Sequence, residues 1–249
     1  MGAEREAVIG GGAVGTASAL DLTVDAHVHT GFAAGRDAVG VVVSAADRAG
    51  LTALTFADQA GPDTTWLTAY ADAVRRARHR TELRLRVAAE VEVVRPDGWL
   101  ALPPDLTQLD TLSVAVSALP FGDELLDARE IRSRLTAGQV TAEQVAEALV
   151  LVTVRGIERA SRYVPSQLAR PLALLTQAGI DDTVISPALV GELTAACRTT
   201  GTVVEISEAW RSPSVRLVEM LRDAGVPVLP ASDARYAAEV GRWQYLRRF

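Results

Sequence analysis

The sequence has one cysteine, Cys197, and neither lysine nor asparagine among its 249 residues. A lone thiol excludes an intramolecular disulfide and any zinc or iron–sulfur site built from several cysteines, and within TAACRTT it reads as helix packing. Without lysine there is no Schiff-base chemistry, no Walker-type phosphate loop and no lysine general base; the 25 basic residues are all arginine. Histidine is confined to His27, His29 and His79, so a site needing many imidazoles cannot be assembled. A formal charge of −6 offers no basic excess for nucleic acid or an anionic membrane surface. No stretch approaches the ~18 uninterrupted apolar residues of a membrane span. The N-terminus opens with Glu4, Arg5 and Glu6 before a short Gly/Ala stretch, so no signal peptide is expected and the reading is a cytoplasmic protein.

What is present is apolar and periodic. Val/Leu/Ile-rich runs recur in LTVDAHV, LTALTFAD, LRLRVAAEVEVV, LSVAVSAL, PLALLT, TVVEIS and VPVLPAS, nearly continuous as strands buried on both faces are. Most alternate with helix-period segments, three of which stop at Gly50, Gly201 and Gly225. Repeated β then α implies a parallel sheet, and seven such strands imply a closed or nearly closed barrel with its chemistry at the C-terminal strand ends. RPDGWLALPPD reads as a turn-rich excursion. The expected organisation is a Gly/Ala-rich arm over residues 1–20 and a single barrel domain over 21–249.

Two motifs nearly touch near the start. Gly10-x-Gly12-x-x-Gly15 imitates a dinucleotide-binding turn, but too few residues separate AVI from the next strand for a full βαβ unit of about 30 residues, so it reads as part of the arm. His27-x-His29 is better placed: alternation puts both imidazoles on one face near a strand end, where they can share a cation. Asp58, Glu90, Glu92, Glu205 and Asp233 are acids inside or at the end of apolar runs, where a carboxylate is costly unless a cation or hydrogen bonds offset it. Salt bridges to arginine are one solution for each; their convergence on one rim favours a metal site.

These residues carry a family resemblance. VDAHVHTGF…AADRAGLTALTFADQ resembles the opening of the polymerase-and-histidinol-phosphatase (PHP) domains, which read D-x-H-x-H-T and then T-D-H. AEVEVVRPDGWLALPPDLTQLDTLSVAVSAL is similar to the family's third and fourth motifs, and GTVVEISEAWRSPS and VPVLPASDAR to its last strands, which commonly end in S-D-A-H. The resemblance spans about residues 21–243 and implies an α/β fold, a distorted, TIM-like (β/α)7 barrel of seven parallel strands. Five features depart from it, the first being the early loop, where GFAAG has neither the acid nor the histidine often found there. Gln59 stands where T-D-H has histidine, Leu119 where the fourth strand closes on S-x-H, and Arg235 where S-D-A-H ends, and no histidine occurs near Thr176 or Gln177 after the expected fifth strand.

Of the ligands the resemblance implies, His27, His29, Glu90 and Asp233 remain, enough for one divalent zinc, manganese or iron ion. The expectation is a metal-dependent, phosphoesterase-like hydrolase acting on a small anionic substrate. Asp58 is its candidate general base, Arg235 the fixed cation and anion anchor, and Arg211 and Gln59 further substrate contacts. A lyase or cyclase using the same metal, and a metal-free barrel kept for binding or scaffolding, are the alternatives. Substrate and oligomeric state are not fixed by the sequence.

Overall fold

The computed structural model describes residues 19–249, so Gly10, Gly12 and Gly15 lie outside the described residues. Seven parallel strands pair in the order β1 (Val24–Val28), β2 (Ala53–Gln59), β3 (Arg84–Glu92), β4 (Thr111–Ala115), β7 (Ser166–Leu168), β8 (Val203–Ser207) and β9 (Val228–Ala231). β1 also meets the chain just past β9. Val28 bridges Ala234, Asp233 N–H donates to the His27 carbonyl at 2.9 Å, and His29 N–H donates to the Ala234 carbonyl at 2.9 Å. The sheet therefore comes round to a nearly closed barrel, and its closing seam carries three of the four expected ligands.

Helices α1 (Val39–Arg48), α2 (Leu67–Arg78), α4 (Ala142–Ala160), α6 (Pro187–Thr200) and α7 (Val215–Asp223) lie where the sequence periodicity places them. Gly50, Gly201 and Gly225 stop their helices with φ of +72°, +67° and +74°, backbone that only glycine adopts without penalty. The core between helices and sheet contains fully buried Leu54, Phe56, Leu112, Leu149, Ile157 and Leu168, each contributing about 1.5–3 kcal/mol by burial. No helix among the described residues is long and apolar enough to cross a membrane.

Two segments differ from the sequence expectation. LSVAVSAL is not one strand: β4 ends at Ala115, and a hairpin of β5 (Leu119–Phe121) and β6 (Glu124–Leu126) leads into α3 (Ala128–Thr136). PLALLT is not a strand either. The fifth barrel strand is β7, five residues earlier, and most of PLALLT belongs to α5 (Ala173–Ala178), a short helix with Ala173, Leu174, Leu175 and Ala178 buried. A helix buried on several sides presents the same unbroken apolar run as an inner strand. β7 escapes notice because two of its three residues, Ser166 and Gln167, are polar: Gln167 meets Glu205 inside the barrel, and Ser166, on the opposite face of the strand, meets Thr202.

Candidate metal centre

Strand register builds the centre. Gln59, Glu90, Ser113 and Gln167 stand level across β2, β3, β4 and β7, so the last three send polar side chains into the barrel at one height. His27 descends toward the same layer from β1, while His29, one residue past the strand, remains beside it because its N–H is tied to Ala234. His27, His29 and Glu90 are buried, and one ligand atom from each lies within 4.8 Å of the other two.

Glu205 on β8 fixes the orientation of His27. Its two oxygens lie 3.0 and 3.1 Å from His27 Nδ1, and because a carboxylate only accepts, Nδ1 carries the proton. Ser113 Oγ–H and Gln167 Nε2–H in turn donate to Glu205 Oε1 at 2.9 and 2.7 Å. His27 Nε2 is therefore the nitrogen that faces inward. It lies 3.1 Å from Glu90 Oε2 yet makes no hydrogen bond, the arrangement of two atoms aimed at a third point rather than at each other. His29 Nε2 lies 3.1 Å from Asp233 Oδ1 and 4.0 Å from Glu90 Oε2. Ligands 2.0–2.2 Å from one ion at 90–109° stand about 3–3.5 Å apart, a spacing that the two 3.1 Å pairs meet and the 4.0 Å pair exceeds by about half an ångström. A buried carboxylate behind a ligand imidazole is the usual outer support of such a site.

Electrostatics point the same way. Burial alone would lower the basicity of both imidazoles, but Glu205 and Glu90 around His27, and Asp233 and Asp58 around His29, outweigh it and hold both above the ordinary histidine range. Burial would raise the two acids, yet Arg170 and His27 hold Glu90 well below the ordinary carboxylate range, and the two histidines and Arg170 lower Asp233 to about 2. The space between these groups demands positive charge.

Part of that charge is already present in a residue the sequence reading missed. Arg170, two residues past β7 and 8% exposed, grips Glu90 with both arms: Nη1–H donates to Oε2 at 2.8 Å and Nη2–H to Oε1 at 2.5 Å. Nη2 also donates to Ser117 Oγ at 2.8 Å and approaches Glu92 Oε1 at 3.4 Å, and Nη1 stands 3.8 Å from Asp233 Oδ2. Trp210 stacks 5.6 Å from the guanidinium and donates its indole N–H to Asp233 Oδ2 at 2.8 Å. Among the described residues four non-glycines have positive φ: Arg170 (34°), Leu172 (58°), Arg211 (50°) and Asp233 (55°). Two of them are the guanidinium and a carboxylate of the centre, strained backbone of the kind that gathers where side-chain placement is over-determined. The signal for Arg170 lay in the resemblance, which placed a residue of the centre just after the fifth strand; misplacing that strand moved the search to Thr176 and Gln177.

The other expected residues distribute unevenly. Asp233 joins the centre. Arg235 does not: its side chain is exposed, so the fixed cation among the carboxylates is Arg170, not Arg235. Asp58 is not paired with Arg235 and does not face the open mouth. Fully buried, it accepts the Thr30 N–H at 2.8 Å and the Thr30 hydroxyl and stands 3.8 Å behind His29 Nδ1, in the setting of an orienting residue rather than a base. Gln59 is half-buried at the end of β2. Arg211 and Arg235 do meet, with Arg242, around a cavity of about 590 Å3 that Asp233 and Trp210 also line. The acids there are already engaged: Glu208 accepts the Tyr245 and Leu246 amides at 2.8 and 3.1 Å, and Glu239 those of Arg235 and Tyr236 at 2.9 and 3.1 Å.

Two solved structures share this architecture. A Listeria monocytogenes protein assigned as a histidinol phosphatase superimposes with a TM-score of 0.68 at 14% identity, covering 88% of this chain and 97% of its own. The histidinol phosphate phosphatase of Lactococcus lactis subsp. lactis, solved with zinc, L-histidinol and phosphate, gives 0.61 at 15% identity over 90% of this chain and 88% of its own. The fold is the PHP-type barrel. No protein-family model and no curated protein sequence matches the chain, so the likeness is one of fold. Within the PHP-type barrel the present chain sets an arginine against its central glutamate.

Proposed function

We propose that the chain is a metal-dependent hydrolase of small anionic phosphate esters, working through a one-ion centre of His27, His29, Glu90 and Asp233. The observation that carries this reading is the unpartnered Nε2 of His27, held inward by Glu205 and converging with His29 and Glu90 on one point. Two imidazoles and two carboxylates suit zinc, manganese or iron. When bound, such a cation supplies Lewis-acid polarisation of a phosphoryl or carbonyl oxygen. The fold-level likeness to a phosphatase solved with zinc and phosphate supports the same class of chemistry.

The protein's own residues divide the remaining work. Glu205, with Ser113 and Gln167 behind it, keeps His27 in the tautomer that presents Nε2; Asp58 backs His29; Trp210 fixes one oxygen of Asp233 so that the other faces His29. Arg211, Arg235 and Arg242 ring the adjoining cavity, and guanidinium groups bind phosphate or carboxylate bidentately without deprotonating. An anionic ester would enter with its phosphoryl group, which carries both the charge and the scissile bond, between these arginines and Asp233.

The test is hydrolysis of a panel of phosphomonoesters by the zinc-, manganese- or iron-supplemented protein. Turnover that a chelator abolishes and the added ion restores, absent in His29→Ala, is the expected result. Absence of hydrolysis of every ester with all three ions would overturn the phosphatase reading.

A further inference from the structure

Arg170 is an arginine where charge counting expects a cation of another kind. Around Nη2 lie three oxygens, two from β3 and one from the loop after β4: Glu90 Oε1 at 2.5 Å, Glu92 Oε1 at 3.4 Å and Ser117 Oγ at 2.8 Å. Ser117 is itself fixed to Glu92, donating its hydroxyl to Oε1 at 2.5 Å and its N–H to Oε2 at 2.9 Å, so the oxygens form one rigid nest. The nest shares Glu90 with the His27–His29 centre: Oε1 belongs to the nest, and Oε2 lies between Arg170 Nη1 and His27 Nε2. Carboxylate and hydroxyl oxygens are what hard divalent cations take, at about 2.0–2.6 Å; Glu90 Oε1 and Ser117 Oγ stand near that range, and Glu92 Oε1, on a part-exposed side chain, would move in by about an ångström. Burial would strip charge from this guanidinium, but Glu90, Asp233 and Glu92 outweigh burial and keep Arg170 cationic. Trp210 closes the nest from the other side by stacking on the guanidinium.

We propose that Arg170 is a built-in second cation: its guanidinium fills an oxygen nest that would otherwise take a second divalent ion, and so holds the centre to one exchangeable metal. The inference rests on the one-ion reading above. It makes Arg170 a positioning residue with two consequences. Glu90 is locked by two hydrogen bonds, one to each oxygen, which leaves Oε2 facing His27 with a lone pair beyond the one that accepts Nη1–H. The second positive charge is permanent, present at any metal concentration, whereas an exchangeable ion would come and go with supply. A lysine has charge but not the fork that spans both Glu90 oxygens, so it separates the role of charge from that of geometry.

Manganese stoichiometry tests this. Purified protein, Arg170→Ala, Arg170→His and Arg170→Lys are each equilibrated with Mn2+, and bound ion is counted by elemental analysis and examined by electron paramagnetic resonance, neither of which depends on turnover. The original sequence and Arg170→Lys should each hold one ion with a mononuclear spectrum. Arg170→Ala and Arg170→His should hold two, exchange-coupled through Glu90, and adding Glu92→Gln to Arg170→Ala should return the count to one. Arg170→His, bulkier than alanine, guards against collapse of the emptied nest, and thermal melts establish that each variant is folded. One uncoupled ion in the folded alanine and histidine variants would overturn the inference and leave the one-ion reading standing. No ion in the unaltered protein would overturn both.

Discussion

Glu205 holds His27 from behind with both carboxylate oxygens, 3.0 and 3.1 Å from Nδ1, while His27 Nε2 faces the space shared with Glu90. A residue on β8 thus decides which nitrogen of a residue on β1 is free to bind. Glu205→Gln keeps the size but puts an N–H donor in competition with an oxygen acceptor, weakening the tautomer bias. Loss of such an outer partner costs about 10–100-fold in metal affinity, and competition titration with a coloured chelator should read a shift of that size. Unchanged affinity would mean that Glu205 only fills space.

Gly35 presses against the peptide joining His29 to Thr30. A Cβ there would stand 2.6 Å from Thr30 N and 2.7 Å from His29 C, both backbone atoms with no room to yield. Gly35→Ala should push His29 away from Asp233 and cost ~1–3 kcal/mol in overpacking, with metal affinity lowered alongside Tm. Gly40 has nothing within 4 Å of its own added Cβ, so Gly40→Ala in helix α1 is the matched control and should keep both properties.

The arginines at the mouth predict a division between binding and stability. Arg235 is exposed and its side chain stands outside the core, so Arg235→Ala should leave Tm within about a degree, as surface changes shift stability by only about 0.5 kcal/mol. A charge-assisted contact is worth about 1.5–3 kcal/mol, so KM for an anionic ester should rise roughly 10–100-fold with kcat little changed. An unaltered KM would remove Arg235 from the substrate's path.

Cys197 supplies a pH prediction away from the centre. It is buried in helix α6, and burial, only partly offset by a backbone hydrogen bond, pushes its thiol up to about 12. The thiolate is therefore scarce in the folded chain throughout pH 7–10, whereas an unfolded cysteine ionises near pH 8.5. Because the folded value is the raised one, the folded chain disfavours the thiolate, and stability should decline as pH rises above about 8.5. A disulfide reagent at pH 8 should find no thiol in the native protein and one after denaturation. Fast labelling of the native chain would show that helix α6 opens.

Much of the barrel was legible because its inner strands are continuous apolar runs broken by helix periods, and six of the seven runs lie in the sheet. β7 was illegible because two of its three residues are polar: Gln167 meets Glu205 inside the barrel, and Ser166, on the opposite face of the strand, meets Thr202. His27, His29, Glu90 and Asp233 could be singled out as ionisable groups in apolar surroundings. Arg170 was missed together with the fifth strand: once PLALLT is taken for that strand, the arginine in LARPL reads as part of a solvated turn, and the fold shows that Glu90, Glu92 and Asp233 surround it. Arg235 carried the sequence reading because it follows Asp233 by two residues, but the left-handed turn at Asp233 sends the chain outward, leaving Arg235 at the surface.

The central claim is that His27, His29, Glu90 and Asp233 hold one metal ion. The most direct measurement is elemental analysis of the purified protein after equilibration with zinc, manganese or iron(II) and removal of free ion, beside His27→Ala, Asp233→Ala and the remote His79→Ala. The account predicts one ion per chain in the unaltered protein and in His79→Ala, and none in the other two. A metal-free protein under all three conditions, or an ion that survives both His27→Ala and Asp233→Ala, would contradict it.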